Sequence, residues 1–198
     1  MVLNDKDIRE HIMENELIAL PDYAYADFPE KYDPSIQPCS YDLTLATEFK
    51  RIKTKSCVFP EKSYVDLSDP MEYVSVPYEG GAFDGVVIGA GEFMLGVTNE
   101  VVNLPNNICG ILEGRSSIGR AGLFIHNAGF IDAGFKGQIV LELFNAGPNP
   151  IRLIGGIRIA QIVFYKMTDS SVKAYKGKYQ NQMGVVGSRI YMDSEVKD

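Results

Sequence analysis

Apolar residues recur along this chain at two spacings, helical at its start and alternating from about Ser40 onward. Ile8, Ile12 and Met13 form a helical stripe that Asn4 or Asp5 can cap, which predicts a short helix through about Glu14. SYDLTLATEFKRI then alternates, with Tyr41, Leu43 and Leu45 on one side. GVVIGAGEFMLGVTNEVV holds two strand-like runs broken at GAG, and NICGILEG, QIVLELFN and IRLIGGIRIAQIVFYKM follow as further strands. Gly155-Gly156, between two alternating runs, predicts a hairpin. Many short strands parted by glycine or proline turns, after one early helix, predict an all-β sandwich or jelly-roll domain. Two stretches lack periodicity. Residues 21–38 read as an irregular acidic segment that wraps the surface. The polar, tyrosine- and lysine-bearing tail beyond Tyr165 reads as an arm that becomes ordered over something.

Composition narrows the class. At 198 residues the chain fits a single domain over 1–198, and 45% apolar with 23% charged residues is the mixture of a soluble globular protein. No apolar run approaches the roughly 18 residues of a membrane span, Asp84 and Glu92 interrupting the best candidate. The N-terminus MVLNDKDIREHI has no apolar leader, so a cytoplasmic protein without a membrane partner is expected. Cys39, Cys57 and Cys109 are odd in number and far apart, and read as buried, reduced thiols. A net charge of -7 argues against a nucleic-acid partner. An anionic nucleotide would still bind if cations were concentrated locally, so a focused basic site with a divalent metal is expected on an acidic surface.

The candidate chemistry is concentrated between Glu113 and Asn145. In Gly114-Arg115-Ser116-Ser117-Ile118-Gly119-Arg120 the glycine lets the chain turn out of a strand, and Ser116 or Ser117 can cap a short helix. Backbone N–H groups at a helix start favour an anion, and Arg115 and Arg120 add paired donors for phosphate oxygens. A capped surface helix with solvated arginines meets the same pattern.

Within Gln138–Phe144, alternation puts Glu142 on one face with Val140 and Phe144. A carboxyl between two large apolar neighbours loses part of its hydration, which suits a group that must both give and take protons. A solvated edge strand whose core face is Ile139, Leu141 and Leu143 is the alternative. Asp132 lies in the glycine-flanked loop AGFIDAGF, where an aspartate also serves to stabilise its own turn. Tyr175, Lys178, Tyr179 and Gln182 fall in AYKGKYQNQ, which by composition alone is a mobile polar tail. Zinc is argued against. The H-x-E and P-C-x-x-C pair of zinc nucleobase deaminases is absent, His11 standing in HIME and His126 in HNAG.

These residues carry a resemblance. GRSSIGR, AGFID, the lone Glu142 and the Y-x-x-KY-x-x-Q tail segment together resemble the dCTP deaminase family, within the superfamily that includes the trimeric dUTPases. The likeness runs from the first helix through PCSYDLTL and GEFMLGVTNEVVNLP to the tail, and is strongest over residues 92–165. It implies a dUTPase-like distorted jelly roll (β-clip), assembled as a homotrimer with active sites between subunits. It implies hydrolytic deamination of dCTP without zinc, with Glu142 performing the proton transfers, a position typically apolar in the dUTPases. The Gly-Phe-Ile-Asp form of the loop is that of members that also release diphosphate and yield dUMP for thymidylate synthesis. Asp132 would then help position sugar and water. A monofunctional enzyme yielding dUTP, or a dUTPase only, are the alternatives.

By the same resemblance Arg115, Ser116, Ser117, Arg120 and Ala128 bind or orient substrate, Ser116 and Arg120 acting also in catalysis. Residues from about 167 to 198 form the arm, in which Tyr175, Lys178, Tyr179 and Gln182 close over the triphosphate. Mg2+ enters through the triphosphate rather than through protein ligands. One departure stands out. His126-Asn127-Ala128 is one residue shorter than the segment of many deaminases and lacks their threonine, so neither their closure mechanism nor their control by dTTP is implied.

Overall fold

The computed structural model describes residues 1–19, 33–53, 64–80, 84–126 and 129–196. Helix α1 spans Asp5–Met13. Asn4 caps it: its side chain accepts from the Asp7 amide at 2.9 Å while the Asp7 carboxylate accepts from the Asn4 amide. Ile8 and Ile12 are fully buried, whereas Met13, the last helical residue, is exposed.

Thirteen strands follow among the described residues. They are β1 (Leu17–Ala19), β2 (Ile36–Gln37), β3 (Ser40–Thr44), β4 (Phe49–Ile52), β5 (Tyr73–Val76), β6 (Val86–Ile88), β7 (Phe93–Asn103), β8 (Ile108–Gly114), β9 (Leu123–His126), β10 (Phe130–Ile131), β11 (Lys136–Asn145), β12 (Ile151–Leu153) and β13 (Arg158–Lys166). A five-residue helix, α2 (Ser116–Arg120), separates β8 from β9. One sheet runs β5-β4-β7-β11-β9, with β1 also on β7; the second runs β10-β8-β13-β3-β2; and β12 pairs β6. Among the described residues the chain is thus all-β apart from short helices, as its alternation predicts. Leu43, Leu112, Ile162 and Phe164 of the second sheet share one core with Phe49, Met94, Leu141 and Leu143 of the first. Burying both inner faces together is what makes two sheets a stable sandwich.

Three sequence expectations are corrected. SYDLTLATEFKRI is two strands in different sheets, β3 and β4, although Tyr41, Leu43 and Leu45 are buried as expected. Gly155-Gly156 closes no hairpin, because β12 pairs β6 while β13 pairs β8 and β3. Its amides are taken by distant groups: Gly155 donates to the Tyr78 hydroxyl (2.9 Å) and Gly156 to the Leu45 carbonyl (2.7 Å), so the turn passes the chain between sheets. Nor are the thiols all buried. Cys39, in the β2–β3 turn, is exposed and Cys109 is half-buried, while Cys57 lies outside the described residues. Most of the irregular acidic segment lies outside them too, and its end forms the short strand β2.

Beyond β13 the described chain holds only two 3-10 turns, Ile190–Met192 and Ser194–Val196. Even so, it is docked along the first sheet. Asn181 donates its amide to Lys136 O (2.7 Å), Gln138 donates to Gln182 O (3.0 Å), and Gln182 bridges Gly137 in parallel. Gly137 has φ +150°, and a Cβ there would meet Gln182 O at 2.8 Å, so only glycine admits so close an approach. No described helix is long and apolar enough to cross a membrane.

Candidate active site

Strand β11 is central in its sheet, between β7 and β9, and its two faces part company. Ile139, Leu141 and Leu143 are buried in the core, while Gln138, Val140, Glu142 and Phe144 are half-buried on the other face. Glu142 stands opposite Leu95 of β7 and His126 of β9. It is therefore on an interior strand, not a solvated edge, and its carboxylate makes no hydrogen bond or ion pair among the described residues.

That carboxylate lines a cavity of about 420 Å3. Its floor is β11 and β7, through Val140, Glu142, Phe93 and Leu95. One wall is the loop at β10, with Phe130, Ile131 and Asp132, and another is the arm, with Tyr175, Tyr179, Gln182 and Ser188. Asp132 does not hold its turn through its side chain. The turn is closed by the Phe135 amide donating to the Asp132 carbonyl (3.1 Å), which leaves the exposed carboxylate to the cavity. Tyr175 packs on Phe135 with ring centroids 5.7 Å apart, and so seats the arm against that loop. Glu142, Asp132, Tyr175, Tyr179 and Gln182, five of the residues singled out in the sequence, meet here.

The cations do not. The cavity lining among the described residues contains no lysine or arginine. Ser116, Ser117 and Arg120 lie exposed on α2 and line no part of it. Neither serine caps that helix: the N-cap is Arg115, with no side-chain cap bond, and Ser116 is already helical. The Arg115 guanidinium is engaged by Asp42, its Nε 3.3 Å from Oδ2, and its Nη1 donates to Arg158 O (3.1 Å). Lys178 pairs with the Asp193 carboxylate, which raises its pKa above the ordinary lysine value. Its ammonium also lies 5.8 Å from the centre of the Tyr179 ring. Ala128 lies outside the described residues.

Sequence reasoning misses Met71, Tyr73 and Phe93, which line the cavity beside Glu142, and the buried Asp42. For Tyr73 the available signal is the run Tyr73-Val74-Ser75-Val76, which alternates but does not point to a ligand. Asp42 alternates with Tyr41 and Leu43 on the side of Ser40 and Thr44, so the pattern reads it as an outward polar residue and gives no signal of its burial. Burial pushes its carboxyl above the ordinary carboxylate value, while Arg115 and Arg158 pull it back. Only two carboxylates, Asp132 and Glu142, line the cavity among the described residues. His11, Glu14 and Glu16 could gather round an ion at the end of α1, but none of them lines the cavity.

A family model described as dCTP deaminase-like matches residues 2–167. The chain is 42% identical over 196 residues to the dUMP-forming dCTP deaminase of Sulfurihydrogenibium sp. (strain YO3AOP1), covering 98% of this chain and 100% of that one. It is 41% identical over 198 residues to the protein of the same name from Aquifex aeolicus (strain VF5), covering 100% and 99%. Among solved structures it is similar to the 2'-deoxycytidine 5'-triphosphate deaminase from Agrobacterium tumefaciens, with a TM-score of 0.58 and 24% identity. That alignment covers 82% of this chain and 47% of the other, so the chain spans about half of that longer protein, and the likeness is one of fold.

Proposed function

The chain belongs to the dCTP deaminase-like family, and from that premise we propose that it hydrolyses dCTP to dUMP, ammonia and diphosphate. The observation that carries the reading is Glu142, a carboxylate on the half-buried face of a central strand, sharing one cavity with Asp132, Tyr175, Tyr179 and Gln182. Deamination needs water to add at C4 of cytosine and a proton to reach the departing amino group. Glu142 takes one proton of the attacking water and delivers it to N3 of the ring, where it stays. It then carries the proton of the new C4 hydroxyl to the amino group, which leaves as ammonia as C4 becomes a carbonyl. Asp132 orients a second water for the α-phosphate, where the bond to diphosphate breaks.

A triphosphate requires cations, and the cavity wall of one chain supplies none among its described residues. We therefore place the exposed Ser116, Ser117 and Arg120 of one subunit against the cavity of the next, in a homotrimer. Arg115 and Lys178 complete the phosphate contacts, and the role of Ala128 is to orient the base. The chain works as one domain over 1–198, with its arm from about 167 closing the site. Two carboxylates are too few to cage a metal, but they suit a Mg2+ held chiefly by phosphate oxygens. When bound, that ion neutralises phosphate charge. Among the described residues the cavity lining offers neither cysteine nor histidine, which fits deamination without zinc. We place the enzyme in the cytoplasm, with neither nucleic acid nor membrane as a partner.

The test is incubation with dCTP and Mg2+, following ammonia and separating nucleotides over an early time course. Ammonia with dUMP and diphosphate supports the reading. Ammonia with stoichiometric dUTP makes it a monofunctional deaminase. No ammonia, with dUTP hydrolysed instead, makes it a dUTPase.

A further inference from the structure

We propose that Asp42 is a positioning residue for the reaction: it holds the Arg115 guanidinium in a fixed orientation with one edge free for the triphosphate. This rests on the reading of Arg115 as a phosphate ligand given above. Asp42 lies on β3, opposite Gln161 of β13, which in turn faces Glu113 of β8. The second sheet thus brings Asp42 beneath the point where β8 turns into α2. Its side chain is 3% exposed, and a single oxygen, Oδ2, serves two guanidiniums, Arg115 Nε at 3.3 Å and Arg158 Nη1 at 3.2 Å.

The partners of Arg115 divide its donors. Nε faces Asp42 in an ion pair and Nη1 donates to the Arg158 carbonyl, while Nη2 has no partner among the described residues. Arg158 Nη1 donates also to Pro34 O (2.9 Å), so that arginine is anchored independently. A guanidinium held by one hydrogen bond and a buried ion pair loses little freedom when it meets an anion, and its Nη2 is pre-aimed. A buried carboxylate is otherwise a costly way to join two strands, since apolar side chains of similar volume do that as well or better. A merely structural Asp42 would serve Arg158 as much as Arg115, and this separates the two roles.

The experiment compares steady-state kinetics on dCTP for Asp42→Asn, Arg115→Lys and Arg158→Met, with melting temperatures. Arg115→Lys keeps the charge but loses the fork. The expected result is KM raised about tenfold or more for Asp42→Asn and Arg115→Lys, with kcat within about threefold, because a displaced binding group costs on that scale. Arg158→Met should leave KM within about twofold. A folded Asp42→Asn enzyme with wild-type KM overturns the proposal, as does Arg158→Met raising KM as much as Asp42→Asn. Should Asp42→Asn not fold, Arg115→Lys decides, and a wild-type KM there overturns it. A wild-type protein that releases no ammonia from dCTP sinks the functional reading instead, and is recognised before any variant is compared.

Discussion

The phenolic oxygen of Tyr73 accepts the amide hydrogen of Ser188 at 2.9 Å, tying the edge strand β5 to the far end of the C-terminal arm. The bond is one of a set. Glu48 accepts the Val185 amide (2.9 Å), Lys50 Nζ donates to the Val185 carbonyl (2.6 Å), and Val185 is buried in a small cluster with Leu95 and Val97. Gly187 lies so close to the Tyr73 ring that any side chain there would collide with it. These contacts hold Tyr179 and Gln182 over the cavity that Glu142 lines.

Tyr73→Phe removes that bond and keeps the ring. A net hydrogen bond is worth about 0.5–1.5 kcal/mol, so the arm should open more often and KM for dCTP should rise roughly two- to tenfold. The melting temperature should move little, because the main core is untouched. Initial-rate kinetics beside a thermal melt check both.

Glu142→Gln keeps the shape and removes the proton carrier. Deamination should fall by about 10^2 to 10^4 or more, since one residue serves several transfers. Calorimetric titration should still show dCTP binding. A variant that releases ammonia at near wild-type rate would refute the assignment of Glu142.

Shared sites predict complementation. Arg120→Ala and Glu142→Gln should each be nearly inactive alone, yet subunits mixed after reversible dissociation should regain activity, because some sites then combine an intact arginine with an intact glutamate. Light scattering should give a mass of about three chains. A fully active monomer would sink the shared site and leave the nucleotide assignment standing.

Asp132→Asn should separate the two halves of the reaction. Asp132 offers its carboxylate to the cavity from a turn that its own carbonyl closes, so the substitution should leave the loop in place. Hydrolysis at the α-phosphate should suffer more than chemistry at the ring, and dUTP should appear in chromatograms where the wild type yields dUMP.

Glu100 supplies a pH dependence. Burial pushes its carboxyl above the ordinary value, more than the hydrogen bonds from Thr44 pull it back. A folded pKa above the unfolded one means the folded chain holds the proton more tightly. Ionised Glu100 therefore costs stability above its folded pKa, and that cost disappears as pH falls below the unfolded value. Glu100→Gln, which can keep both Thr44 contacts, should raise the melting temperature near pH ~7.5, with the gain vanishing towards pH ~4. Paired melts across that range read it directly.

Local pattern alone marked the capped first helix and the longer strands β7, β8, β11 and β13, but not β1, β5 or β9. Period-two alternation put Glu142 on the face opposite Ile139, Leu141 and Leu143, because side chains of a strand point to opposite sides whatever surrounds it. It could not say whether that face met solvent or a cavity, since this depends on β11 lying between β7 and β9. The same limit misled it at Gly155-Gly156, where two glycines permit a hairpin but the strands beyond them pair elsewhere. Tertiary structure alone brought Tyr73 to Ser188 across 115 residues, and Asp42 to Arg115 and Arg158. Such pairings are set by sheet order and by long-range burial, and neighbours along the chain carry no record of either.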